Sequence, residues 1–319
     1  VAYILYNAYL ETGEKKYLTG AEWCLEFLNS LTVNPAYEIQ LPYGVYTASR
    51  MNAEIGTDYD IEKMFNWCFS FTNLRKWNVL LGKWGVYDIS GLIGEDFDRQ
   101  YAFSMNTFQQ IGALVPVARY DERFARAIGK WVLNAANALR LFYSKYLDDL
   151  HQDSEDWAQI YDPNSYIVYE ALLKSSSGFP EATGDAIKGG WAKTNLSLYS
   201  SSSVGYLAAV IDTTNIPCIL KLNLNATDFF QKNSYKTYLL YNPYDETKVV
   251  KINLPHGIYD IYETISNNFI AKNVSDYSEL SISPNSAVVI VLVPPNGKIE
   301  YKFNKLFIDN KVVDYNLNM

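Results

Sequence analysis

The sequence predicts a mainly α protein, made of αα-hairpins and followed by a C-terminal antiparallel β-sandwich. Three observations carry this. Apolar residues recur at helical spacing through the first two thirds of the chain, and short alternating runs of β type replace them from about Ile219 onward. The composition breaks at the same place: all seven Trp lie between Trp23 and Trp191 and all seven Arg between Arg50 and Arg140. At 319 residues the chain also exceeds what one hydrophobic core usually serves. The division predicted is a helical domain over 1–211 and an accessory β-sandwich over 212–319.

In the helical part, three short turns each end one helix and open the next on an aromatic residue: Gly13-Glu14-Lys15-Lys16-Tyr17, Gly56-Thr57-Asp58-Tyr59 and Tyr120-Asp121-Glu122-Arg123-Phe124. The clearest helix runs from Asp121 to Tyr143, where Phe124, Ile128, Trp131, Val132, Ala135 and Leu139 form one stripe. A second covers Tyr101 to Val117. A third is expected from the Asp162-Pro163 start through Tyr166, Tyr169 and Leu172, since Asp caps and Pro fits a first turn. Between hairpins the connections are long: about 30–43, 70–99 and 144–162. The β part offers strands at Leu220–Leu224, Tyr238–Tyr241, Val249–Leu254, Ile258–Tyr262, Ala287–Val293, Ile299–Phe303 and Leu306–Val313. Asn242-Pro243-Tyr244-Asp245 supplies turn chemistry between the second and third of these.

Composition narrows the function. Apolar residues make up 49% of the chain and charged residues 19%, enough for a real core and too little charge for disorder. A net charge of −8 argues against nucleic acid as a partner, because neutralising phosphates needs clustered Lys and Arg. No apolar run is long enough for a membrane span; the longest, Ala287 to Val293, stops at Pro294-Pro295. Cys24, Cys68 and Cys218 show no metal-ligand spacing and read as free thiols, Cys218 as a buried one. The nucleophile elbow, the phosphate-binding loop and the HExxH helix are all missing from the sequence, and no metal or other cofactor is implied. The Ser200–Ser203 cluster reads as a helix start or a linker, and Asn195 and Asn225 head sequons of the glycosylation type. The chain opens at Val1 inside an apolar pattern, which predicts a preceding segment.

If antiparallel hairpins stack side by side, the short turns collect at one end and the long loops at the other. Those loops carry Tyr37 and Glu38; Trp77, Trp84, Tyr87, Asp88, Glu95, Asp98 and Arg99; and Asp149, His151 and Trp157. Aromatic faces stack on sugar rings, and paired carboxylates serve glycosidic cleavage as acid with base or nucleophile. The expected function is therefore hydrolysis of a poly- or oligosaccharide. Asp88 and Asp98 are the leading pair, with Glu95 and Asp149 next, and Trp84, Tyr87 and Trp157 would grip the sugar. Asp88 leads because Val86, Ile89 and Leu92 around it would raise a carboxyl pKa by desolvation, as a general acid requires. Two alternatives stand beside this: a uronate lyase using Tyr101, Asn106, Arg99 and His151, and a glycan-binding protein without turnover.

Hairpins of the type Thr12-Gly13-Glu14-Lys15-Lys16-Tyr17, acidic aromatic loops opposite them and a trailing sandwich resemble the six-hairpin, or α/α toroid, glycosidase-like superfamily. Trp84-Gly85-Val86-Tyr87-Asp88 and Tyr101-Ala102-Phe103-Ser104-Met105-Asn106 are similar to stretches of bacterial toroid proteins with carbohydrate-related roles. The resemblance implies a partial toroid here, since a closed ring needs more hairpins than the three counted.

Overall fold

A computed structural model describes residues 1–72, 76–95, 100–184, 196–197, 199–231 and 233–317. Helices α1 (Ala2–Thr12) and α2 (Lys15–Ser30) form the first hairpin, and α3 (Gln40–Ile55) and α4 (Ile61–Trp67) the second. In the third, α5 (Ser104–Leu114) and the short α6 (Val117–Tyr120) lead through the Asp121 turn to α7 (Ala125–Leu139). The first two turns sit where the sequence places them because Gly13 and Gly56 close α1 and α3 in the left-handed conformation that stops a helix. Asn52 then locks the second turn, its Oδ1 accepting the Tyr59 N–H at 3.0 Å. Helices α3 and α5 are buried among the others over most of their length, including the polar Arg50, Asn106 and Gln110.

The chain is not mainly α: of the described residues 36% are helical and 27% are in strands, spread over five sheets. Much of the difference lies in segments read from the sequence as loops. Strands β1 (Trp77–Val79), β4 (Ile93–Glu95), β5 (Tyr101–Phe103), β6 (Ala171–Lys174) and β7 (Pro180–Thr183) form an antiparallel sheet in that order, with β2 (Lys83–Trp84) and β3 (Tyr87–Asp88) as a separate small hairpin between β1 and β4. The helix expected from Asp162 through Leu172 is instead a turn followed by β6. Asp162 opens no helix but closes α8; its two oxygens accept the N–H groups of Tyr166 and Ile167, both at 2.8 Å, and Ser165 turns at a positive φ. The expected helix from Tyr101 starts three residues late, those residues being β5, and the 144–162 connection contains α8 (Glu155–Tyr161).

After α9 (Val204–Val210), which Ser203 opens at φ 66°, the chain is β. Strands β8 (Ile211–Thr213), β9 (Leu220–Asn223), β10 (Lys236–Tyr241), β12 (Tyr259–Glu263), β13 (Asn268–Val274) and β15 (Ala287–Val293) build a six-stranded sheet, in the order β13-β12-β15-β10-β9-β8. Strands β11 (Lys248–Asn253) and β14 (Tyr277–Ile282) pair over one face, and β16 (Ile299–Lys302), β17 (Lys305–Ile308) and β18 (Lys311–Asp314) form a separate three-stranded sheet. The Asn242–Asp245 turn joins β10 to β11 across two sheets and not within a hairpin. Alternation sets the packing. Leu240, Ile290 and Leu292 face Val250 and Leu280 of the β11–β14 pair, whereas Leu239 and Val289 join the core of the helices and Val291 and Val293 join Leu306 and Ile308. Burial on both faces explains why Ala287–Val293 reads as one unbroken apolar run. Cys218 is exposed at φ 62°, not buried, and Cys68 is buried with its thiol pushed up by desolvation. No helix among the described residues is long and apolar enough to cross a membrane.

A buried ionic cluster ties the two parts together. Asp228, its side chain fully buried, accepts the hydroxyls of Tyr46 at 2.6 Å and Tyr120 at 2.9 Å, and Arg119 at 3.0 Å. Arg50 lies 3.9 Å from the same carboxylate and donates to the Phe229 carbonyl at 3.1 Å and to Glu54 at 3.0 Å. Glu54 in turn accepts Tyr6 at 2.7 Å and Gln231 at 3.0 Å. Two guanidinium groups thus balance two carboxylates away from water. Removing one partner of such a set strands the others, so Asp228→Ala should lower unfolding free energy by about 3–5 kcal/mol. Denaturant melts of both proteins would check this, and a loss under about 1 kcal/mol, the usual worth of an exposed pair, would refute it.

Beside this cluster, burial pushes the Glu122 carboxyl from 4.5 up to about 7, although Asn316 donates to it at 2.6 Å. The folded pKa lies above the unfolded one, so this group favours folding fully below pH 4.5 and loses that contribution as pH rises through about 7. The whole span is worth about 3 kcal/mol at 1.36 kcal/mol per unit. Glu122→Gln should flatten the decline of melting temperature between pH 4.5 and 8 in part, because burial raises Asp314 and Glu170 in the same direction. Superimposable pH profiles for the two proteins would show that Glu122 is not the group involved.

Candidate functional site

The five-stranded sheet gathers the long loops. Trp77 of β1 is in register with Glu95 of β4, and Glu95 with Tyr101 of β5, so the three side chains leave one face in a row. On the opposite face Ala102 and Leu172 are buried in the helical core. Gly94 allows the close pairing, since a Cβ there would lie 1.9 Å from the Tyr101 carbonyl oxygen. Glu95 therefore stands between an indole and a phenol whose ring centres are 6.3 Å apart.

The first long loop reaches the same place. Asn34 donates to the carbonyls of Trp67 and Ser70 at 3.0 and 3.2 Å, and its own carbonyl accepts Thr72 at 3.1 Å, which docks residues 34–38 on the start of the second loop. Tyr37 then meets Trp77 edge-on at 5.6 Å. Glu38, next to it, sits at φ 51°, a left-handed backbone that a non-glycine residue adopts at a cost of about 1–3 kcal/mol. Burial, and then the charge of Glu95, Tyr37 and Glu38, push the Tyr101 phenol up to about 12, and its hydroxyl hydrogen-bonds the Glu95 carboxylate. Tyr101 is thus held protonated, as a donor.

Among the other expected site residues, Asp88 lies in β3, where its Oδ1 accepts the Ser90 N–H at 2.9 Å. Hydrogen bonds from Ser90 hold the Asp88 carboxyl below the usual range, the reverse of the desolvated acid expected there. Val86 is exposed, while Ile89 and Leu92 are buried in the core and do not enclose it. Trp84 is buried, so its faces are covered by protein. Asn106 is buried in α5, its Nδ2 without a partner among the described residues. Asp98 and Arg99 lie outside the described residues.

The third loop meets the second at a different point. The Tyr87 hydroxyl is 3.5 Å from Asp148, and His151 stacks flat on Phe179 with ring centres 5.2 Å apart. Trp157 packs on Tyr161 at 5.8 Å. Asp149 accepts Gln159 at 3.2 Å and lines a cavity of about 320 Å³ with Glu155 and Asp162. That cavity has no aromatic wall, and Asp162 spends both oxygens on backbone N–H groups. It therefore offers no ring on which a sugar could stack. Neither sequon adds a visible glycan site: Asn195 lies outside the described residues, and the Asn225 amide donates to Ser234 and Tyr235, both at 3.1 Å.

Sequence reasoning placed Glu95 and Tyr101 among its candidates and Trp77 and Glu38 in the loops, but missed that these four belong together. The signal was the alternation in Trp77-Asn78-Val79 and Tyr101-Ala102-Phe103, each only one strand-length of three residues. The meeting of the second and third loops is itself testable. Gly85 holds φ +56°, and a Cβ there would lie 2.5 Å from the Phe179 ring that carries His151. Gly85→Ala should cost about 1–3 kcal/mol through strain and displacement of that ring. A thermal melt as high as that of the parent would remove the contact from the account.

No family model, curated protein or solved structure matches this chain.

Proposed function

We propose that the protein hydrolyses a poly- or oligosaccharide at the place where the 34–38 loop meets the five-stranded sheet, with Glu95 and Glu38 as its two carboxylates. The observation that carries this reading is the row Trp77–Glu95–Tyr101, a carboxylate bracketed by two aromatic rings, with a second carboxylate close enough for its charge to act on Tyr101. Of the rings there, Tyr37, 39% exposed, offers itself to a sugar, and the buried Trp77 backs it at 5.6 Å. Glu95, oriented by the Tyr101 hydroxyl, suits the base or nucleophile. Glu38 then delivers a proton to the departing glycosidic oxygen while water supplies the hydroxyl that ends on the anomeric carbon. The strained backbone of Glu38 supports a role beyond packing, because such strain persists where the surroundings demand a fixed side-chain position.

Tyr101 also separates hydrolysis from the lyase alternative. A lyase needs a base to take the proton beside a uronate carboxyl, and a phenol pushed up to about 12 gives protons at neutral pH more readily than it takes them. Asn106, buried in α5, is not placed to neutralise a uronate.

Release of reducing ends from a panel of poly- and oligosaccharides tests the reading. Glu95→Gln should reduce turnover by roughly 10² or more, the usual scale for losing acid or base catalysis, and Glu38→Gln should do likewise, both with melting temperatures near that of the parent. Full activity in Glu95→Gln would refute the assignment. Binding of glycans by the parent protein without release of reducing ends would leave a binding function in place of hydrolysis.

A further inference from the structure

The three-stranded sheet ends on an open, apolar edge. Strand β16 pairs with β17, and no other strand among the described residues pairs with its outer side. Ile299 and Tyr301 are in register with the buried Ile308 and Leu306, so they share the face of the sheet that packs on Val291 and Val293. They lie beyond the covered part of it: Ile299 is 45% exposed, Tyr301 67% and Phe303, in the turn that follows, 88%. Glu300 and Lys302 belong to the opposite face. There Glu300 holds Lys298 at 2.8 Å and Lys302 at 3.0 Å.

The hydrogen bonding of this hairpin decides which backbone groups face outward. Phe303 and Asn304 form its two-residue turn at φ 54° and 56°, the left-handed pair of a type I′ turn, and Lys302 and Lys305 close it. Residues that flank such a turn exchange both hydrogen bonds, after which bonded and non-bonded pairs alternate. The Asp309 N–H, donating to the Lys298 carbonyl at 3.1 Å, keeps the same alternation at the far end. Lys298, Glu300 and Lys302 therefore turn their backbone groups to β17, and Ile299 and Tyr301 turn theirs to the open edge.

We infer that a second copy of this chain adds to this edge, β16 against β16, antiparallel about a two-fold axis at Tyr301. In that register the two Tyr301 residues exchange both hydrogen bonds. Glu300 of each copy stands opposite Lys302 of the other, and Ile299 of each opposite the exposed Phe303 of the other. The strand is thus complementary to itself in backbone, charge and apolar surface, as a two-fold contact requires. An axis at Glu300 would instead set Glu300 against Glu300 and Lys298 against Lys302, and like charges directly opposite destabilise a pair. Edges that stay single are commonly blunted by Lys or Pro. Strand β16 contains no Pro, and Lys298 and Lys302 both have Glu300 as partner. The dimer does not depend on the chemistry at Glu95. A contact of one short strand per copy falls at the weak end of protein interfaces, below about 1,200 Å² in total, so it should dissociate in the micromolar range.

Sedimentation velocity over a range of about 1 to 200 µM tests this, since a dimer forms by mass action. The parent should move from the 36.4 kDa of one chain toward twice that mass as concentration rises. Glu300→Lys sets lysines opposite each other and Lys302→Glu sets glutamates opposite each other, so each variant alone should dimerise roughly tenfold more weakly or not at all. An equimolar mixture of the two variants sets every Lys against a Glu and should dimerise at least as well as the parent, which also shows that both variants fold. A parent that stays at monomer mass throughout would overturn the inference and leave the edge to a strand of another protein. Dimerisation of both variants alone as strongly as the parent would overturn it by placing the contact elsewhere, and loss in both without recovery in the mixture would overturn it too.

Discussion

The buried carboxylate of Asp228 is the constraint around which the helices are arranged. It draws a hydroxyl from α3, a hydroxyl and a guanidinium from α6, and the second guanidinium from α3 toward one point. Charges out of water tolerate little misplacement, because attraction compensates for desolvation only when geometry is good. The second and third hairpins are thereby fixed relative to each other, and Glu54 extends the network to Tyr6 on the first. Lys305, donating to the Glu54 carbonyl, and Asn316, donating to the Tyr120 carbonyl, close the network from the C-terminal strands. With the helices held in this way, the long loops spring from a fixed frame.

How much of this was legible follows from the length of each signal. The αα-hairpins were readable because an amphipathic helix repeats its stripe over several turns, and because glycine has a physical reason to stand at Gly13 and Gly56. The strands of the C-terminal part were readable where five or more residues alternate, as in β11, or where both faces are buried, as in β15. Strand β13 was missed because it has no fully buried residue, and β14 because Ser278 stands on its buried face and Tyr277 on its exposed one, which blurs the alternation in sequence. The five-stranded sheet was illegible for another reason. Its strands run to only three or four residues, too short to show a period, and its two halves, β1-β4-β5 and β6-β7, join through the β5–β6 pairing across about seventy positions. Asp162-Pro163 shows the limit of motif reading: the residues that open a helix also make a turn when the next N–H groups bend back to the carboxylate.

The same distinction governs the site. Residue types were readable, since aromatic and acidic residues crowd the long loops, but their grouping depends on strand register. Glu95 faces Trp77 and Tyr101 only because β4 lies between β1 and β5 without a slip, and a shift of one residue would turn Glu95 into the core. Asp88 looked favourable by its neighbours in sequence. In three dimensions those neighbours turn away from it, and Ser90 keeps the carboxyl in its charged form.

The ionic cluster also imposes an order on how the chain can be made. Asp228 follows its partners Tyr46 and Tyr120 by 182 and 108 positions. During synthesis the helices emerge first, and contacts of such high sequence separation form late. Until residue 228 is available, Arg50 and Arg119 have no carboxylate from the C-terminal part to meet, and the hairpins can form but not settle around their shared centre. The helical part is first in sequence yet cannot be completed alone, so the ribosome must deliver the start of the β part before the helices reach their final packing.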